Sequence, residues 1–156
     1  MGAATWRPRS RRSCGGSGAV AVLVDAGPLY AVADADDAAH ERCVDALEAA
    51  DGPLLVPDLV VAEVSYLIGT RLGPRAEVRF LGSLAAGELT VAHVAAGDWV
   101  RTADLVARYH DLPLGTVHAS VVAIAERLRI EVVITLDTRH FRIVRPAHVR
   151  ALTLIP

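Results

Sequence analysis

The 156-residue sequence contains no lysine, and all 16 of its basic residues are arginine. That absence weighs against an aspartyl phosphatase or phosphotransfer enzyme. Such an enzyme also sets an aspartate after a strand of an α/β fold, but it adds a nucleophilic D-x-D or a lysine. Cysteine is scarce as well: Cys14 and Cys43 alone cannot build a disulfide framework or a four-ligand zinc site. Aromatic residues make up only 4%, so alanine, valine, leucine and isoleucine must fill the core. Long apolar runs are missing too. Gly18 to Val24 and Val132 to Leu136 fall far short of the ~20 residues that a bilayer span needs. Arg7, Arg9, Arg11 and Arg12 resemble the start of a signal peptide, but the apolar stretch behind them, Ala19 to Val24, runs into Asp25 too soon for a secretory segment. The expectation is a soluble, cytoplasmic protein with no membrane partner.

Hydrophobic residues at 53% against 22% charged exclude an intrinsically disordered chain. The length suits one domain with a real core. The net charge of −2 is unevenly spread: four arginines lie in the first 12 positions, and every acid lies at Asp25 or beyond. From Asp25 onward, 12 arginines face 18 acids. This acidic body lacks the broad basic footprint of a duplex-DNA binder.

Residues 1–18 mix arginine, serine, glycine and proline without periodicity, and read as a flexible leader or an upstream mis-start. Beyond them apolar strands alternate with helices. Ala19 to Val24 reads as a buried parallel strand, followed by a short helix opened by Gly27-Pro28 and a second helix starting at Asp36 or Asp37. Leu54 to Val56 is a second strand, Leu59 to Arg71 and Pro74 to Ala86 are helices, and Leu89 to Val91 is a third strand. A helix from Gly97-Asp98 to Tyr109 is expected to turn Trp99, Ala103, Val106 and Ala107 inward. Thr116 reads as the N-cap of a helix ending at Leu128. Val132 to Ile134 and Ala151 to Ile155 complete an α/β domain around a mostly parallel sheet.

In such sheets, sites form beyond the carboxyl ends of the strands. Asp25 and Asp137 stand at two of these ends. Glu63 sits two turns into the helix after the second strand, and His118 lies near the start of a later one. All four can converge at one edge, where clustered carboxylates would suit a hard divalent cation such as Mg²⁺. Each also has a plainer reading: turn former for the aspartates, ion pair with Arg139 for Asp137, structural residue for His118. Glu63, on a nearly all-apolar helix, is expected to be partly buried and to need a metal or arginine partner.

Four segments carry a resemblance: VLVDAGPLYA (22–31), VPDLVVAEVSYLI (56–68), LGTVHASVVAIAERL (114–128) and TLDTRHF (135–141). In this order and spacing the chain from about residue 19 to 156 resembles a PIN domain, and within that family the VapC-type toxins of bacterial VapBC toxin–antitoxin pairs. The resemblance implies a three-layer α/β/α sandwich and an Mg²⁺- or Mn²⁺-dependent endoribonuclease acting on tRNA or rRNA, in which the cation activates water for attack on the phosphodiester. It further implies restraint by a VapB-type antitoxin, and a homodimer. By position, Asp25, Glu63 and Asp137 match the family's metal-binding acids.

His118 departs from the pattern. Relatives typically read L-G-x-x-D-A, with an aspartate where this chain has His118 before Ala119. The exchange removes a charge and an oxygen ligand, and imidazole suits Zn²⁺ or Mn²⁺ better than Mg²⁺. Two outcomes stay open: His118 ligates a metal or positions water as a general base, or the site is crippled and the chain binds antitoxin or RNA without cleaving. Asp111 is a candidate stand-in carboxylate. Ala26-Gly27 replaces the Thr-Ser common in relatives, leaving Thr116 and Thr135 as candidate supporting hydroxyls. Arg139 and Arg142 are the arginines nearest the site for RNA, with surface ion pairing as their alternative role. An antitoxin helix would lie across Leu29, Tyr30, Leu67 and Ile68, unless these are ordinary core.

Overall fold

A computed structural model describes residues 20–156; the 1–18 leader lies outside the described residues. Five strands, β1 (Val22–Val24), β2 (Leu54–Pro57), β3 (Thr90–Ala92), β4 (Val132–Ile134) and β5 (Thr153–Ile155), form one sheet in the order β3-β2-β1-β4-β5. Every pairing is parallel, with Leu23 opposite Leu55 on one side and Val133 on the other. β1 is therefore central and buried along its whole length, which explains its unbroken apolar sequence.

Among the described residues seven helices connect the strands: α1 (Ala26–Ala33), α2 (His40–Glu48), α3 (Asp58–Arg71), α4 (Pro74–Ala85), α5 (Ala96–Arg108), α6 (Gly115–Leu128) and α7 (Thr138–Ile143). α1 packs on α2 and α3, α3 on α4, and α5 along α6. α6 is buried without interruption from Ala119 to Ala125. Small alanines and a serine among its valines let neighbours approach on all sides. No helix among the described residues is long and apolar enough to cross a membrane.

The structure corrects several local expectations. The face of α5 that turns inward carries Asp98, Thr102 and Leu105, while Trp99, Ala103, Val106 and Ala107 are exposed. Burial of polar residues is possible there because Asp98 is fully partnered. Its carboxylate accepts from Arg127 Nε at 2.8 and 3.0 Å and from the Ala95 N–H at 2.9 Å. α2 begins at His40, because Asp34 and Asp37 spend their carboxylates on the N–H groups of Asp36 and Ala39, two residues on, and hold a turn. Thr116 caps nothing: Leu114 occupies the N-cap position of α6, and Thr116 is exposed in its first turn. α7 is a helix in a stretch to which the sequence pattern assigns no element.

Candidate metal centre

The strand order reverses direction at β1, between β2 and β4, and the chain leaves both β1 and β4 at this switch point. There a cleft of about 430 Å³ is lined by Asp25, Glu63, His118 and Asp137, with Gly27, Leu67 and Leu136 among the apolar walls. The four residues that the sequence singles out come from α3, α6 and the ends of two strands. A Cβ on Gly27 would stand 3.2 Å from Leu136 Cβ, so glycine allows the start of α1 to approach β4 here.

Asp25 follows β1 directly, anchored by its N–H to the Ile134 carbonyl at 3.0 Å. It is 2% exposed. Its Oδ2 accepts the Thr135 hydroxyl at 2.8 Å, while Oδ1 is buried without a hydrogen-bond partner. Thr135 Oγ1 in turn accepts the Asp137 N–H at 2.9 Å, so one fully buried hydroxyl fixes the spacing of both aspartates. Glu63 is more exposed than its apolar helix suggests, standing at the cleft mouth. Partial desolvation, then the negative charge of Asp25, push its carboxyl above the usual range, against a smaller opposing pull from His118.

His118 sits in the first turn of α6 and donates Nδ1–H to the Leu114 carbonyl at 3.1 Å. That bond fixes the tautomer and leaves Nε2 facing Asp25 Oδ2 at 3.6 Å and Asp137 Oδ2 at 3.7 Å. Burial pulls the ring toward neutrality, but the hydrogen bond and charge of Asp25, the charge of Asp137 and the Leu114 carbonyl together raise its pKa. Asp137 is the N-cap of α7. Its Oδ1 accepts the His140 N–H at 3.2 Å and its Oδ2 accepts His140 Nδ1–H at 2.5 Å. Burial favours the protonated acid, yet these His140 bonds and the nearby His118 hold its pKa below the ordinary value.

His140 is the residue that sequence reasoning missed. Its ring stacks on His118, with centroids 5.2 Å apart and planes 29° from parallel, while Phe141 meets His118 edge-on at 5.3 Å. The signal was present as D-T-R-H, an acid followed three residues later by histidine, a spacing that faces both side chains together only if the segment is helical.

Other candidates are not brought to the cleft. Thr116 is exposed and lines none of it, and Asp111 is exposed and pairs with His110 at 3.1 Å. Leu29 and Ile68 are core, 5% and 0% exposed, so they offer no docking surface. Tyr30 stacks under Arg71, and Leu67 belongs to the cleft wall. Arg139 and Arg142 are both exposed on α7, and among the described residues neither guanidinium makes an ion pair.

A family model described as PIN domain matches residues 22–146. The chain is 34% identical over 135 residues to Ribonuclease VapC26 of Mycobacterium tuberculosis, a match spanning 86% of this chain and all of the relative. Its fold is similar to the crystal structure of Mycobacterium tuberculosis VapC20, described as a Sarcin-Ricin loop cleaving toxin. The TM-score is 0.74 at 21% identity, covering 83% of this chain and 98% of that one. It is also similar to a chain in the crystal structure of VapBC2 from Rickettsia felis bound to a DNA fragment from its promoter. There the TM-score is 0.64 at 13% identity, covering 86% and 97% of the two chains.

Proposed function

The chain belongs to the PIN-domain family and to the VapC-type proteins within it, and on that premise we propose that it is a divalent-metal-dependent endoribonuclease, the toxin of a pair with a VapB-type antitoxin, acting in the cytoplasm. The observation that carries the reading is Asp25, a residue of the cleft lining whose Oδ1 is buried and has no partner. Leaving such an atom unsatisfied is costly, and a cation satisfies it. Asp25, Glu63 and Asp137 supply oxygen donors and His118 Nε2 a nitrogen, a set that fits Mg²⁺ or Mn²⁺. When bound, such an ion polarises a phosphoryl oxygen and lowers the pKa of water.

The residues of the chain supply the rest. Thr135 and His140 hold Asp25 and Asp137 in fixed orientations. The unpaired Arg139 and Arg142 offer the RNA backbone positive charge beside an otherwise acidic cleft. With no cation present, the two aspartates favour the charged form of His118, whose Nε2 faces them. That arrangement also favours the second reading, because an internal cation competes with an external one.

The test is cleavage of RNA by the purified chain in Mg²⁺ and in Mn²⁺. Loss of several kcal/mol of charge stabilisation, at ~1.4 kcal/mol per decade, should slow D25A at least about a hundredfold. If wild type is silent and H118D cuts, the chain is a binding domain whose site has degenerated. If wild type cuts and D25A cuts equally, the cleft is not the nuclease site.

A further inference from the structure

His118 lines the cleft, and a second histidine, His140, stacks on it and bonds Asp137. One donor atom each from His118, Asp137 and His140 lie within 4.8 Å of one another. All three side chains are sheltered, with His140 17%, His118 23% and Asp137 29% exposed. The Leu114 carbonyl fixes the His118 tautomer so that Nε2 presents a lone pair to the cleft when unprotonated. The rings stack, and Phe141, itself 1% exposed, braces His118 from its edge, so neither imidazole swings freely. The independent sign of a ligand is Asp25. It lines the same cleft, its buried Oδ1 has no partner, and its Oδ2 lies 3.6 Å from His118 Nε2.

We propose that this chain holds its divalent ion through nitrogen as well as oxygen, with His140 and His118 joining Asp137 and Asp25, and that the cleft therefore takes a transition ion such as Mn²⁺ in preference to Mg²⁺. The inference rests on the nuclease reading of the cleft and names the ion class that the reading leaves open. The chemistry is that of donor type. Mg²⁺ seeks oxygen in a near-ideal octahedron and keeps much of its water, whereas imidazole nitrogen adds affinity for later, softer divalent ions. His140 does two jobs in this arrangement. Its Nδ1–H orients Asp137 in the absence of an ion, and transfer of that proton to Nε2 frees Nδ1 as a donor in the presence of one.

The experiment is pulsed EPR of the untagged full chain loaded with Mn²⁺, with histidine carrying either ¹⁴N or ¹⁵N. Nitrogen modulation that changes with the label is expected in wild type, is weaker in H118N and in H140N, and is absent in the double variant. Calorimetry with Mn²⁺ and with Mg²⁺ supplies the second readout. H140N should lose about tenfold or more in Mn²⁺ affinity with little change for Mg²⁺, and H118D should narrow the preference for Mn²⁺ about tenfold by restoring an oxygen donor. Far-UV circular dichroism identifies any variant that has lost its fold, and in that case H140Q replaces H140N. Saturable Mn²⁺ binding with no histidine nitrogen modulation overturns the proposal and leaves the nuclease reading standing. Failure of both ions to bind saturably overturns both.

Discussion

Thr135 connects the two aspartates of the cleft through a single oxygen, donating to Asp25 Oδ2 and accepting from the Asp137 N–H. Its replacement by valine preserves shape and removes both bonds, leaving Asp25 Oδ2 with His118 Nε2 at 3.6 Å and Oδ1 still unpartnered. A lost hydrogen bond to a charged group is worth ~1.5–3 kcal/mol, so T135V should unfold about 2 kcal/mol more easily in the absence of metal, and T135S should restore most of the loss. Chemical denaturation of the three proteins in a chelator measures this; equal midpoints would mean that the bridge holds nothing. Asp25, Glu63, His118 and Asp137 were legible in the sequence because each stands at a strand end or one to two turns into a helix. Thr135 was legible as a nearby hydroxyl, but its twofold role depends on β1 and β4 being adjacent. Thr116 looked equivalent and is not, because Leu114 takes the cap position and turns it to solvent. His140 was hidden because a three-residue spacing means contact only on a helix, and six residues are too few for periodicity to announce one.

The α5–α6 pair shows how an element can be recognised in the sequence and still be turned the wrong way. Counting apolar residues points Trp99 and Val106 inward. The fold instead buries Asp98 and Thr102: Arg127 pairs with Asp98 across the two helices at 2.8 Å, beside Arg101 with Glu126 at 2.7 Å, while Thr102 Oγ1 is buried without a hydrogen-bond partner. Glu126 also accepts the Ala147 N–H at 2.8 Å, tying the segment after α7 to α6. Partners of this kind lie 25 to 29 residues apart in sequence, and no local window reveals them. Burial alone would raise the pKa of Glu126, but the Arg101 hydrogen bonds, the Ala147 N–H and the charges of Arg101 and His148 leave it lowered. A carboxyl whose folded pKa is depressed contributes stability that is present above its unfolded value and is lost as pH falls through the folded value. E126Q should therefore be less stable than wild type at pH 6, by about 1–2 kcal/mol. The two should converge below the ordinary carboxylate range, giving E126Q the flatter acid limb. Urea midpoints measured between pH 6 and pH 3 test the sign, and parallel curves would show that the pair does not titrate with folding.

At the scale of the whole molecule, strand order explains why residues from positions 25 to 137 meet at all. The chain lays β1, β2 and β3 in one direction and returns to place β4 on the opposite side of β1. The carboxyl ends of the two strands that flank this reversal carry Asp25 and Thr135-Leu136-Asp137. Alternating strand and helix patterns suffice to forecast a parallel sheet, and with it the edge at which a site must form. They do not give the order of strands, which only the folded sheet shows. The same architecture keeps three carboxylates close together, Asp25 buried among them, a tension that a cation relieves. Binding to the folded chain alone stabilises it by ~2.7 kcal/mol at a hundred times the dissociation constant. For a domain of this size, ~2–4 °C per kcal/mol makes that about 5–10 °C in melting temperature. The wild-type chain should therefore melt higher in saturating Mn²⁺ than in chelator, and D25N, isosteric but without the charge, should lose the shift. A D25N protein that gains as much as wild type would place the ion elsewhere on the chain. A wild type that gains nothing would mean that the fold sustains its buried carboxylate without a cation, with the His118 imidazolium as the counter-charge.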